Sequence, residues 1–410
     1  MAESDPMIRE RPAHVDPARV VDWDVFRDAR YAATPEVHES LFKFSEERPR
    51  GIYWTPHNGG HWLINDHELM FEAMRNPGLF SSTKMTLPPI PDEPCFIPLS
   101  LDPPEHGYYR LPLMQAFAPG EVMKLEANVR SIAARLIAEV IPRGRCEFVR
   151  DIAEPVPVTI FLNMMGLPLN RIEEFRSWAL AMVLDDNDAR TAAYIQVSGV
   201  MGELIRDRQA KPGNDLVSKY LLNAQIEGRP VTFDELQNYC MLLFVAGLDT
   251  LVASISFGAR QLAVDPPLQK RLRADISLVP EFIEEVLRRY AVSMPPRTVT
   301  RDSEFHGVRF KAGERVLMML PAGNMDPAAF PNPIDFDIDR EDKNHVTFNV
   351  GPHRCVGSHL ARIEMITFFE EWLKRLPNVR LDPQSPPSYR TGIVFAVTAL
   401  PILWDPAAAR

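Results

Sequence analysis

The stretch TFDELQNYCMLLFVAGLDTLVASISFGARQLAVDPP, residues 232–267, constrains the fold of this chain more than any other. Its apolar residues recur at helical spacing, and Thr232 stands three residues before Glu235, the spacing of a capping box. Pro266 and Pro267 close the run. Unbroken, such a helix measures on the order of 50 Å at ~1.5 Å per residue. A helix that long and that apolar must be buried on most sides, so it predicts a large helix-rich body built around it. Within it, Asp249 and Thr250 follow Gly247. An acid and a hydroxyl in an apolar helix are costly unless something uses them.

The 410 residues, 46% of them hydrophobic, supply a core of the required size. Helical periodicity recurs over 120–141, 169–185 and 192–209, and again in PEFIEEVLRRY and SHLARIEMITFFEEWLKRL. The proline-rich segment MTLPPIPDEPCFIPLSLDPPEH, residues 85–106, cannot be regular helix, because proline removes amide donors and restricts the residue before it. It predicts a long loop. The segment FHGVRFKAGERVLMML alternates and is rich in β-branched residues, which predicts two strands joined across KAGE. The expected fold is mainly α with a minor antiparallel β region. It is a single domain over 1–410 in which 1–20 form an extended or poorly ordered arm.

The formal net charge of −10 argues against general nucleic-acid binding. The first twenty residues lack the apolar run of a secretory signal, and no run of about 18 uncharged apolar residues predicts a membrane span. Cys95, Cys146, Cys240 and Cys355 are far apart, with no CxxC pair, which favours free thiols and a reducing compartment, the cytoplasm.

Cys355 is the notable one. It lies in FNVGPHRCVG, residues 348–357, at the mouth of a predicted helix and next to His353 and Arg354. Four chemistries suit it. It could be a buried structural thiol, although a His–Arg pair is an odd neighbour in an apolar core. A zinc site with His353 and His359 lacks the second close ligand pair of structural zinc. A nucleophile could be activated by the helix start and a nearby base. A haem thiolate would gain from the same helix start, with Gly351 and Gly357 letting the backbone approach a flat ring and a basic neighbour meeting a propionate.

Phe348-x-x-Gly351-x-x-x-Cys355-x-Gly357 resembles the haem-binding signature of the cytochrome P-450 family. Glu285 and Arg288 match its Glu-x-x-Arg pair, AGLDT (246–250) its central-helix motif, and FPNPIDFDIDR (330–340) the segment before its cysteine loop. From about residue 20 onward, FIPLSLDPPEH, GLDTLVASISF, EFHGV, SHLARIE and LPILWDPA are similar to the bacterial camphor-monooxygenase branch.

This resemblance implies the P-450 fold, with haem b between the long central helix and the helix after the cysteine. Cys355 would be the proximal iron ligand. Glu285 and Arg288, three apart on a helix, would form a buried network supporting the cysteine loop rather than a surface pair. Thr250 would hold a water and, with Asp249, relay protons to dioxygen. The bland alternative is a threonine back-bonded to the preceding turn. Local distortion of the helix here would make room for dioxygen and water. Arg176 matches a basic residue that pairs with the acid. Arg110, Arg297, His353 and His106 match positions that serve the propionates. Met85, Phe96, Leu242, Val245, Ala246, Val292 and Val394, with Ser293, match the substrate lining.

Two positions depart from the pattern. Pro94 replaces the tyrosine that bonds the camphor ketone, and proline has no side-chain donor, so camphor itself is disfavoured. Asn349 stands where glycine or serine is usual, a residue that tolerates left-handed backbone. The resemblance therefore implies a monomeric monooxygenase that hydroxylates a small hydrophobic molecule of terpenoid or norisoprenoid size with O2. No fused flavin or iron–sulfur region is apparent. Electrons would come from a [2Fe–2S] ferredoxin and its NADH-dependent reductase. A haem-thiolate sensor and a peroxide-driven haem enzyme are the competing classes.

Overall fold

The computed structural model describes residues 8–91, 93, 95–183 and 187–408. About 52% of the chain is helical, with small sheets, as the periodicity predicts. The chain divides into two compact units. One comprises Met1–Gly107, Glu285–Cys355 and Arg390–Phe395. The other comprises Tyr108–Glu284, Val356–Tyr389 and Ala396–Arg410.

The first unit is organised on a five-stranded sheet in the order Ile52–Thr55, His61–Ile64, Arg315–Met318, Pro296–Val299, Phe80–Ser81. Its pairings are antiparallel except for Arg315–Met318 on His61–Ile64, which is parallel, so the sheet is mixed where an antiparallel one was expected. The strand pairing expected across KAGE is also corrected. Val308–Phe310 turns back on Ser303–Phe305 through His306 and Gly307, at φ 46° and 73°. Two successive left-handed residues make a tight hairpin turn of the twist that strands prefer. Arg315–Met318 joins Pro296–Val299 instead. Trp54, Trp62, Phe80, Phe310 and Met318 pack the sheet's core. Residues 8–20 are held by Arg9 N–H donating to the Pro56 carbonyl at 2.9 Å, by buried Val15 and by a bridge from Val20 to Trp54.

In the second unit the helices Glu126–Val140 and Ser358–Arg375 pack together, as do Ile172–Val183 and Asn187–Ala210. The 232–267 run is two helices, Phe233–Gly247 and Asp249–Val264, interrupted at Leu248, whose backbone sits at φ −96° and ψ −62°. The Thr232–Glu235 capping box forms in both directions. Pro266 and Pro267 do more than stop the run. They open the next helix, Pro266–Ala274, with Asp265 as its cap, because an amide-free residue costs nothing at a first turn. By length and composition alone Phe233–Val264 could cross a membrane, but 61% of its most apolar window is buried against protein, as in a core helix. Among the described residues no helix or strand occupies 82–104, the predicted proline-rich loop.

Candidate active site

The cysteine loop belongs to the first unit. Cys355 is exposed, and its amide donates to the Phe348 carbonyl at 2.7 Å, closing the loop on itself. Gly351 is fixed at φ +70°, and a Cβ there would stand 2.8 Å from the Met74 carbonyl and 3.2 Å from Arg75 Cα. No side chain fits that approach. Asn349 takes φ +63°, with its own Oδ1 accepting from the Val350 amide at 3.1 Å, so the asparagine does what the usual glycine would do. Beyond Cys355, Ser358–Arg375 begins with no side-chain cap on its first amides.

The loop rests on a buried ion network. Glu285 and Arg288 are both fully buried and meet through two bonds, 2.8 and 2.7 Å. Arg288 also donates to the carbonyls of Asn324, Pro333 and Asp335, and Glu285 accepts from the Asp337 amide. Asn324 reaches Thr347, whose hydroxyl donates to the Leu287 carbonyl at 2.6 Å. The pair therefore holds the 324–347 chain just before the loop, and it is not a surface pair.

Three of the expected cationic residues, Arg297, His106 and His353, belong to the same unit as Cys355. Arg297 is 2% exposed; its hydrogen bond goes to the adjacent Pro296 carbonyl, and among the described residues no carboxylate lies within ion-pair distance. Burial pushes its guanidinium down to about 10, an effect that Asp102 only partly offsets. His106 and His353, both buried, lie with ring centroids 4.2 Å apart and planes tilted by 47°, and His353 Nε2 is 4.0 Å from Asp102. Asp102 accepts from Ser81 Oγ and the Ser82 amide at 2.5 and 2.9 Å. A buried guanidinium lacking a carboxylate, two imidazoles and an accessible thiol together fit a metal-bearing ring with carboxylate arms. They do not fit zinc: no cluster of three metal-ligating side chains occurs among the described residues.

Of the expected substrate-lining residues, Met85, Phe96, Val292 and Val394 are in this unit. Ser293 bridges to Val394, and the Phe395 amide donates to the Val292 carbonyl at 2.7 Å, so Val292 and Val394 are fixed as neighbours. Pro94 lies outside the described residues.

The second unit carries Leu242, Val245, Ala246, Asp249, Thr250 and Arg110. Val245 is 36% exposed, and Ala246 and Gly247 are exposed with it, between buried Phe244 and Leu248. Leu242 is buried and Arg110 half-buried. The opened face falls at the helix interruption, the local distortion expected next to Thr250. The Thr250 hydroxyl donates to the Ala246 carbonyl at 3.2 Å, which is the back-bonded arrangement. Arg176 does not pair with Asp249. Its guanidinium is taken by Glu154 at 2.7 Å, Glu173 at 2.9 Å and the Arg150 carbonyl, because its helix faces that chain segment.

One residue beside the site escaped the sequence: Asp102, visible only as part of a proline-rich string, lies 4.0 Å from His353.

The profile of the cytochrome P450 family matches residues 178–404. A probable cytochrome P450 127A1 of Sinorhizobium fredii is 32% identical over 401 residues, 96% of each chain. The steroid C26-monooxygenase of Mycolicibacterium smegmatis is 33% identical over 352 residues, 83% of this chain and 87% of that one. The crystal structure of CYP101J2 superposes with a TM-score of 0.90 at 34% identity, covering 97% of this chain and 100% of that chain. Likeness in sequence and in backbone runs almost end to end and includes the loop of Cys355, so the chain belongs to the cytochrome P450 family, whose members are haem monooxygenases.

Proposed function

We propose that this monooxygenase hydroxylates a small hydrophobic substrate of terpenoid or norisoprenoid size, with electrons from a [2Fe–2S] ferredoxin and an NADH-dependent reductase. The observation that carries this reading is the opened apolar face Val245–Ala246–Gly247, directly before Asp249 and Thr250. Haem held through a cysteine thiolate supplies the dioxygen chemistry that places one oxygen atom in a C–H bond. Cys355 would hold it, with Arg297, His353, His106 and Arg110 on its propionates. Met85, Phe96, Leu242, Val245, Ala246, Val292 and Val394 would surround the substrate and select it by shape. The protein would work as a cytoplasmic monomer.

Thr250 would exchange its bond to the Ala246 carbonyl for one to a water, and Asp249 would pass protons to that water. Thr250→Ala is expected to lower product formed per dioxygen consumed by roughly tenfold or more, while reductant is still consumed. Unchanged coupling would return Thr250 to a back-bonding role.

Arg297 gives a test of haem retention. With no carboxylate at ion-pair distance among the described residues, its buried charge is only partly offset by Asp102. Arg297→Leu is expected to speed haem transfer to an acceptor such as apomyoglobin by about tenfold or more, equivalent to about 1.4 kcal/mol. Haem loss at the parent rate would remove Arg297 from the propionate set.

The function itself is tested by titrating the oxidised protein with apolar cyclic terpenoids and reading the high-spin shift. A steroid belongs in the series as the larger size class, since one relative is named for it. Tight binding of polar or charged ligands in preference to terpenoids would overturn the substrate class. Turnover with peroxide that is not exceeded with ferredoxin and reductase would overturn the electron route.

A further inference from the structure

Lys84, Met85 and Thr86 lie against the five-stranded sheet without being a strand of it. Four of their backbone groups are bound by side chains. Glu93 Oε2 accepts from the amides of Met85 and Thr86 at 2.8 and 2.9 Å. Arg315 Nε donates to the Thr86 carbonyl at 3.2 Å, and the Thr298 hydroxyl donates to the Lys84 carbonyl at 2.7 Å. Glu93 and Arg315 pair with each other and are only 6% and 5% exposed. Arg315 also reaches the Thr298 hydroxyl, which stands directly opposite it in the ladder. Arg297 is opposite Val316, so its side chain leaves the sheet on the other face.

The chemistry explains why a charged pair serves here. A segment outside regular structure must still satisfy its amides. A carboxylate can serve two successive amides at once, but buried it needs a cation. Arg315 is held in its strand by pairing with Thr298, so it fixes the carboxylate in space and the carboxylate fixes Met85.

We propose that Glu93 and Arg315 are a positioning pair that sets where Met85 stands and thereby the shape selectivity of the substrate pocket. The proposal rests on the pocket assigned to Met85 and Phe96 above. The pair touches neither Cys355 nor Arg297 through any hydrogen bond, so haem binding and ligand selection separate experimentally.

The test uses the haem-loaded protein and four variants: Glu93→Gln, Arg315→Lys, the paired neutral Glu93→Gln with Arg315→Gln, and Met85→Ala. The paired variant leaves no lone buried charge, so it keeps the test alive where a single one fails to fold. Hydrogen exchange at the Met85 and Thr86 amides reads the clamp. A series of cyclic terpenoids of graded size, titrated by the high-spin shift, reads selectivity. In the paired variant the amides are expected to exchange at least about tenfold faster. The affinity ratio between the best-fitting and the oversized terpenoid should collapse by about tenfold, the worth of roughly 1.4 kcal/mol. The carbon monoxide spectrum should stay that of the parent, and Arg315→Lys should recover part of the selectivity. Faster exchange with an unchanged ligand order, while Met85→Ala does alter that order, would reduce the pair to a structural tie and overturn the proposal. An unchanged order in Met85→Ala as well would show that the pocket reading, not the clamp, is at fault.

Discussion

Serine in place of Cys355 is expected to abolish the strongly red-shifted Soret band of the reduced carbon monoxide complex and to lower monooxygenase turnover by about a thousandfold or more. The argument rests on the ligand's charge. A thiolate donates electron density that a hydroxyl does not, and oxygen–oxygen cleavage depends on that push. The loop should survive the substitution, because what fixes it is elsewhere. The Cys355 amide bond to the Phe348 carbonyl involves no side chain, and Gly351 and Asn349 carry the left-handed turns. Loss of the band with a parent-like melting temperature would therefore isolate the ligand effect. Serine at Cys146 or Cys240 serves as the control. Both are buried thiols, and burial pushes Cys240 up to about 12 and Cys146 higher still, so neither offers an anionic sulfur at neutral pH. A red-shifted band that persists in Cys355→Ser would assign the ligand to another residue.

Removing the charge of Glu285 is expected to be the most destabilising single substitution in the first unit, with a loss of about 3–5 kcal/mol and a fall in melting temperature of roughly 5–10 °C. Glu285→Gln leaves Arg288 charged with no exposure to water, and five donor bonds converge on this pair and its carbonyls. The damage should reach the site, since Asn324 and Thr347 connect the network to the chain before the cysteine loop. Haem content at saturating haem should fall along with stability. The neighbouring residue provides an internal comparison. Glu284 pairs with Arg362 at 2.5 Å, but those side chains are 28% and 24% exposed, so Glu284→Gln should cost only about 0–1 kcal/mol. Similar losses from the two adjacent substitutions, measured by denaturant unfolding, would show that burial is not what makes the Glu285 pair matter.

Much of the proposed site's local geometry is legible in the sequence. Cys355, Gly351 and Asn349 lie within one short loop, and their requirements are local: a left-handed residue here, a close approach there. The capping box at Thr232 was readable for the same reason, since it involves residues three apart. The Glu285–Arg288 pair was readable as a helical neighbour pair, but its burial was not, because that depends on carbonyls contributed by 324–335. Arg176 shows the opposite error. The resemblance assigns it an acid in the long helix, whereas Glu173, one turn away on its own helix, and Glu154, brought in by packing, take its guanidinium. The strand Arg315–Met318 was recognised as a strand and given the wrong neighbour. A turn of His306–Gly307 makes a two-residue hairpin, and it satisfied Val308–Phe310 before KAGE could.

What the sequence determined by itself was set by short-range geometry and period: the main helical runs, the proline-rich loop and the capping box at Thr232. The tertiary structure decided which charges lost their water and which partner each one found. It opened the long helix at Leu248, buried Arg297 with no carboxylate at ion-pair distance among the described residues, and joined Glu93 to Arg315 across more than two hundred residues. Desolvation and pairing depend on what the rest of the chain brings alongside, and no local pattern of residues encodes that.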